Sequence, residues 1–147
     1  MSALCRRIRP VDIADALCAL SEVRFVDTGG TNGWIANPDW LGAFVERLAL
    51  GGTVMRALCR LLPAGQGIPP HVDAPMFRSN CERRFHVPLL THPGVMMRWP
   101  DDGVEEHLEA GYLYEVRYDR LHEIVHRAPV DRVHIQINVV NATETRQ

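Results

Sequence analysis

The spacing of apolar residues changes once along this chain: up to residue 52 they recur at helical intervals, and from Thr53 onward they alternate. Behind Pro10-Val-Asp-Ile-Ala-Asp, the positions Ile13, Ala16, Leu17 and Leu20 predict one amphipathic helix starting near Pro10. A short strand is expected at Val23 to Val26. Asp27 to Pro38 reads as a loop rich in Gly, Thr and Asn that carries Trp34 and ends in Asn37-Pro38-Asp39, an N-cap followed by proline at the first helical position. A second helix is predicted from there to Leu50, because Trp40, Leu41, Phe44, Val45 and Leu48 form one stripe and Gly51-Gly52 stops it. Such a stripe is expected to pack on a sheet rather than to line a ligand groove.

The remainder predicts strands at Thr53 to Leu62, Ile68 to Val72, Arg83 to Thr91, Val95 to Trp99, Val104 to Leu108, Tyr112 to Val116, His122 to His126 and Arg132 to Val140. Turn signals separate them and no helices intervene, which points to an antiparallel sandwich or barrel. The expected organisation is a single domain, with a helical support segment over 1–52, a β core over 53–140 and a tail over 141–147. Residues two apart on a strand share a face. In the last strand Val133, Ile135, Ile137 and Val139 make an apolar face, and Arg132, His134, Gln136 and Asn138 make a polar one that is either solvated or turned into a cavity. The strand from Arg83 repeats the arrangement, with Phe85, Val87 and Leu89 against Arg84 and His86. Two strands that each present an Arg and a His two residues apart argue for a shared polar cavity.

Composition narrows the chemistry. All 16 basic residues are arginine, which excludes Schiff-base catalysis on a lysine, a Gly-Lys-Ser/Thr phosphate loop and a Ser-x-x-Lys nucleophile. Anion recognition must run through guanidinium groups. With 18 acidic residues and a net charge of -2, no basic stripe for nucleic acid is visible. Near the start the longest uncharged run is Ala16 to Ser21, too short for a membrane span or signal core, so a cytoplasmic protein is expected. Cys5, Cys18, Cys59 and Cys81 lack zinc-knuckle spacing and are expected to be free thiols.

The pointed feature is His71-Val72-Asp73, since an i, i+2 pair on a strand puts an imidazole and a carboxylate on one face, able to grip a cation. It follows the turn at Pro63 to Gly67 and the breaker Pro69-Pro70; His122 opens a later strand, and Arg132 lies ten residues beyond it on the next. Two histidines and one carboxylate on one side of a metal is the donor set of non-haem Fe(II) oxygenases. An arginine deeper in the barrel can pair bidentately with the far carboxylate of a keto-acid cosubstrate.

Residues 53 to 140 resemble the aspartyl/asparaginyl β-hydroxylase family of 2-oxoglutarate-dependent oxygenases. The resemblance is carried by His71-Val-Asp73, Arg84-Phe-His86-Val-Pro-Leu89 with Thr91, Gly111-Tyr-Leu-Tyr-Glu-Val116, His122 and Arg132-Val-His134-Ile135. It implies a mainly β, double-stranded β-helix (cupin, jelly-roll) fold with the two N-terminal helices packed on one sheet. It also implies Fe(II) held by His71, Asp73 and His122, and 2-oxoglutarate held at its C5 carboxylate by Arg132. Arg84 and His86 match the family's Arg-x-His and would meet either the C1 carboxylate of the cosubstrate or a carboxylate of the substrate. The chain departs from the family at His126, where Asn is usual, and at Asn138, where a terminal Asp is common. His126 is a substrate contact, a donor behind the metal ligands or a solvated residue.

The implied reaction hydroxylates a C–H bond with O2, releasing succinate and CO2. Its substrate bears a carboxylate, as a free amino acid such as proline or an Asp or Asn residue of a peptide. Arg78, in the loop Ala74 to Glu82, and Trp34 are candidates for contacting it, while Trp40 is expected in the core. No nucleic acid or membrane partner is expected, and an oligomer is compatible with the sequence. The competing class is a metal-binding cupin that does not use 2-oxoglutarate, either a binding module or another cupin enzyme. Such cupins usually carry His-x-His followed by Glu, whereas here Met76 and Phe77 occupy the Glu position.

Overall fold

The computed structural model describes residues 4–73 and 81–144. Strand formation starts earlier than the apolar pattern predicts. β1 (Cys5–Pro10) precedes α1 (Ala14–Leu20), and a short hairpin of β2 (Val26–Asp27) and β3 (Trp34–Ala36) precedes α2 (Leu41–Arg47). There follow β4 (Thr53–Leu62), β5 (Ile68–His71), β6 (Glu82–Leu90), β7 (Val95–Trp99), β8 (Val104–Glu106), β9 (Tyr112–Val116), β10 (His122–His126) and β11 (Arg132–Val140). One 3-10 turn at Pro100–Asp102 joins β7 to β8.

Two strands escaped the pattern for identifiable reasons. β1 reads Cys-Arg-Arg-Ile-Arg-Pro, with no apolar alternation, and exists because it pairs antiparallel with β9 from Cys5↔Val116 to Pro10↔Tyr112. Arg6 reaches Glu115 at 3.3 Å and the Arg7 guanidinium lies 4.8 Å from the Tyr112 ring centre. Charged side chains on such an edge also discourage pairing with other chains. β3 lies inside the predicted loop and is held by β4, with Trp34↔Leu61 to Ala36↔Cys59 in register. Its approach is so close that a Cβ on Gly33, at φ +75°, would sit 2.4 Å from the Leu61 carbonyl oxygen. Only the end of the expected strand at Val23 to Val26 is extended, and α2 stops at Arg47, where Ala49 takes a positive φ of 52°.

The strands form two antiparallel sheets, one ordered β1-β9-β6-β11-β4-β3-β2 and the other β5-β10-β7-β8. β11 sits in the middle of the larger sheet and is buried on both faces, which removes the solvated alternative for Arg132, His134, Gln136 and Asn138. Its apolar face, Val133 to Val139, joins Phe85, Val87 and Leu89 of β6 in a core closed by Leu41, Phe44, Val45 and Leu48. Its other face looks toward the smaller sheet across a second core of Leu62, Ile68, Met97, Trp99, Val116 and Ile124. Trp40 packs edge-on to Phe44 at 6.2 Å and belongs to the helix-side core, as expected. No disulfide links the four cysteines, and no described helix is long and apolar enough to cross a membrane.

Stability should track this two-sided burial. Phe85 is fully buried while Leu90, on the same strand, is 42% exposed. Phe85→Ala is expected to cost about 3–5 kcal/mol in urea denaturation and Leu90→Ala less than about 1 kcal/mol.

Candidate metal centre

β5 and β10 of the smaller sheet pair so that His71 lies directly opposite His122. Their ring centres are 4.3 Å apart. Asp73 follows β5 by two residues, its backbone N–H donating to the Tyr118 carbonyl at 3.1 Å, and this turns its carboxylate back toward both rings. Asp73 Oδ2 lies 3.6 Å from His71 Nε2 and 3.7 Å from His122 Nε2, and the three donor atoms all fall within 4.8 Å of one another.

Both histidines have the tautomer that such a centre needs. His71 Nδ1 is 2.8 Å from the Pro69 carbonyl oxygen and His122 Nδ1 is 2.7 Å from that of Arg120. A carbonyl only accepts, so each Nδ1 carries the proton and each Nε2 presents a lone pair to the shared space. Burial is the main reason that the His122 pKa lies below its ordinary value, which keeps this lone pair available in mildly acidic solution. Two neutral imidazoles and a carboxylate suit a divalent transition metal that keeps open positions, Fe(II) and Zn(II) among them.

The three groups stand at one side of a cavity of about 380 Å³ between the sheets. Arg84 donates to Asp73 Oδ2 at 3.0 Å and rests 4.1 Å from the centre of the Tyr118 ring, whose hydroxyl donates to Glu82. His86 lines the same cavity and its Nδ1 lies 3.1 Å from Nδ1 of His134, so one ring must donate and the other accept. Burial first, and then the charge of Arg132, holds both pKa values well below that of free histidine.

Arg132 also lines the cavity although it is only 1% exposed. Its Nε and Nη2 find no hydrogen-bond partner among the described residues. A buried, unpartnered guanidinium is costly in the ligand-free protein, and burial, followed by the charge of Arg60, lowers its pKa. That is the environment an incoming carboxylate would relieve.

The other expected site residues separate. Trp34 is 38% exposed on β3 and does not line the cavity; its neighbour Ile35 does. His126 is buried, against the solvated alternative, and lies past Ile124 on β10, outside the cavity lining. Its Nδ1 accepts from the Ala128 N–H at 3.3 Å, and its Nε2 makes no regular hydrogen bond among the described residues. Arg78 lies outside the described residues. Missed from the sequence were Arg56, Arg60 and Tyr118, all of which line the cavity. The signal for the first two was faint, since Arg56 and Arg60 share a face of β4 with Leu58 and Leu62, whereas the corresponding face of β11 is polar from Arg132 to Asn138.

No family model matches the sequence, and no curated protein matches it. Solved structures do resemble it. A prolyl-4-hydroxylase from Pseudomonas putida superimposes with a TM-score of 0.60 at 20% identity, covering 93% of this chain and 92% of that one. A cupin domain from Bordetella pertussis Tohama I gives 0.44 at 18% identity over 59% of this chain and 88% of that one. A predicted oxalate decarboxylase from Thermotoga maritima gives 0.49 at 12% identity over 80% and 91%. The fold is a cupin-type double-stranded β-helix. The likeness to the prolyl-4-hydroxylase carries the fold and not the narrower aspartyl/asparaginyl β-hydroxylase family, which rests on the motifs alone.

Two outcomes are expected from this geometry. His71→Ala, Asp73→Ala and His122→Ala should each abolish stoichiometric Fe(II) binding in anaerobic titration, because a three-ligand site has no donor to spare. Acid should also destabilise the fold. His86 and His134 remain neutral in the native state while the unfolded chain takes up protons below the ordinary value of 6.5. Their contribution is full above that pH and is lost as pH falls below it, so the urea midpoint should drop between about pH 7 and 5, with a shallower slope in the His86→Gln/His134→Gln double variant.

Proposed function

We propose that the protein is an Fe(II)- and 2-oxoglutarate-dependent dioxygenase that hydroxylates a C–H bond of a carboxylate-bearing substrate. The observation that carries this reading is the pairing, in one cavity, of a His-Asp-His donor set with a buried guanidinium that has no partner among the described residues. The name of the structurally similar prolyl-4-hydroxylase is compatible with it.

His71, Asp73 and His122 would hold the iron, leaving positions on its cavity side for the cosubstrate and O2. With Asp73 as a third protein ligand, hydroxylation is favoured over halogenation. Arg132 would pair with the C5 carboxylate of 2-oxoglutarate, a bidentate contact that fixes both its depth and its orientation. Arg84 and His86, on the same cavity wall, would meet the C1 carboxylate or a carboxylate of the substrate. When bound, iron and 2-oxoglutarate supply oxidative decarboxylation coupled to O2 activation, so that succinate, CO2 and a hydroxylated carbon leave. Ile68, Met97, Val116 and Ile124 supply the apolar part of the lining, against which a substrate carbon chain would rest. A cytoplasmic location and partners limited to O2 and a small molecule or peptide belong to the same proposal.

Arg132 separates this reading from a cupin that binds metal without a keto acid. Anaerobic addition of 2-oxoglutarate to the Fe(II) protein should produce the visible absorption band of a chelated keto acid, and absence of the band would favour the other cupin class. Arg132→Met should keep Fe(II) binding but weaken 2-oxoglutarate by about thirtyfold or more. The same change should raise the unfolding free energy of the ligand-free protein by about 1–4 kcal/mol, since it removes a buried charge that lacks a partner.

A further inference from the structure

Arg56 and Arg60 are the part of the cavity wall that the proposed chemistry leaves unused. They lie four residues apart on the inner face of β4, opposite Asn138 and His134 of β11. Arg60 donates from Nη1 to the Asn32 carbonyl and from Nε to Gln136 Oε1 at 3.4 Å. Both acceptors are neutral. Arg60 meets no carboxylate among the described residues, and Asp73, the one carboxylate of the described lining, already serves Arg84 and the metal donor set.

An iron dication and a 2-oxoglutarate dianion would cancel, so the unmatched charge of Arg60 is the excess that faces whatever enters next. That excess opposes folding. Besides burial, the charges of Arg56 and Arg84 act to lower the pKa of Arg60, toward about 10. Repulsion of this kind persists in an evolved site where a ligand relieves it. The tether to Asn32 also defines the size of the space. It ties Arg60 to the β2–β3 turn, which Thr28 closes by donating from its N–H to Gly33 O at 3.2 Å and from Oγ1 at 2.8 Å. That turn and Ile35 wall the arginine side of the cavity, whose 380 Å³ suits a cosubstrate and one further molecule of similar size.

We propose that Arg60, with Arg56, forms the anion subsite for the substrate, and that the substrate is a small molecule of net negative charge, an acidic amino acid or related dicarboxylate. This rests on the dioxygenase reading for the word substrate, while the anion subsite itself does not. Zwitterionic amino acids of net zero charge, proline among them, leave the excess charge in place.

The probes are L-aspartate, L-asparagine, L-glutamate, L-glutamine, L-proline and an aspartyl peptide with blocked termini. Binding is measured by calorimetry on the protein loaded with Zn(II) and 2-oxoglutarate, which does not turn over, and again on the unloaded protein. One acid is expected to bind at least about tenfold more tightly than its own amide, the size of a charge-assisted contact. Arg60→Gln should bring that ratio near one, Arg60→Lys should restore part of it, and 2-oxoglutarate affinity should change less than about threefold. Arg56→Gln provides a second, independently folded test with the same direction.

The proposal is overturned if no acid binds, if acid and amide bind alike, or if the discrimination survives both glutamine variants. It is equally overturned if Arg60→Gln weakens 2-oxoglutarate instead, which would assign Arg60 to the cosubstrate, or if the blocked peptide binds as tightly as the free acid. Failure of the dioxygenase reading shows separately, as a missing keto-acid band in the Fe(II) protein alongside intact acid-over-amide binding in the unloaded one.

Discussion

Everything in this molecule leans on β11 being buried on both faces at the centre of the larger sheet. A strand alternates its side chains strictly, so one face can join the helix-side core only if the other enters the space between the sheets. That second face carries Arg132, His134, Gln136 and Asn138. None of them can be hydrated freely there, and polar groups without water must find partners or remain costly. His134 meets His86 through Nδ1, and Gln136 meets Arg60, while among the described residues His134 Nε2 and both polar atoms of Asn138 lack a partner. Arg132 Nε and Nη2 lack one too, and as the charged group of this face it turns a folding constraint into a demand for an anion.

The smaller sheet answers with the opposite requirement. The cross-strand pair His71 and His122, each locked by a backbone carbonyl, presents two lone pairs beside the Asp73 carboxylate, and such a group is satisfied best by a cation. Cation-seeking and anion-seeking walls therefore face each other across one cavity. A metal bound to a chelating dicarboxylate satisfies both at once, whereas a metal alone satisfies only the first. This complementarity also gives the buried Arg132 its meaning, because its guanidinium has no structural partner among the described residues.

Much of this was legible in order along the chain, and the parts that were not share a cause. The eight expected strands from Thr53 to Val140 are present, because alternation over long buried runs such as Arg132–Val140 is a strong signal. β1 and the β2–β3 hairpin were invisible, since arginine-rich or two-residue strands have no period of their own and exist through their partners β9 and β4. His71, Asp73, His122 and Arg132 were found through spacing and motif. Arg56 and Arg60 share a face of β4 with Leu58 and Leu62, and their meaning depends on which sheet face is the inner one.

By itself, then, the sequence determined the mainly β architecture, the restriction of anion recognition to arginine and the identity of the candidate donors, because these follow from local periodicity and from side-chain chemistry. Only the tertiary structure decided that the polar face of β11 is interior, that His126 is buried yet outside the cavity and that Trp34 stands apart from it. It also decided that four arginines from three strands converge on one space. Those outcomes depend on register between strands far apart in sequence. A one-residue shift in any pairing would turn the same side chains outward without changing a single local preference.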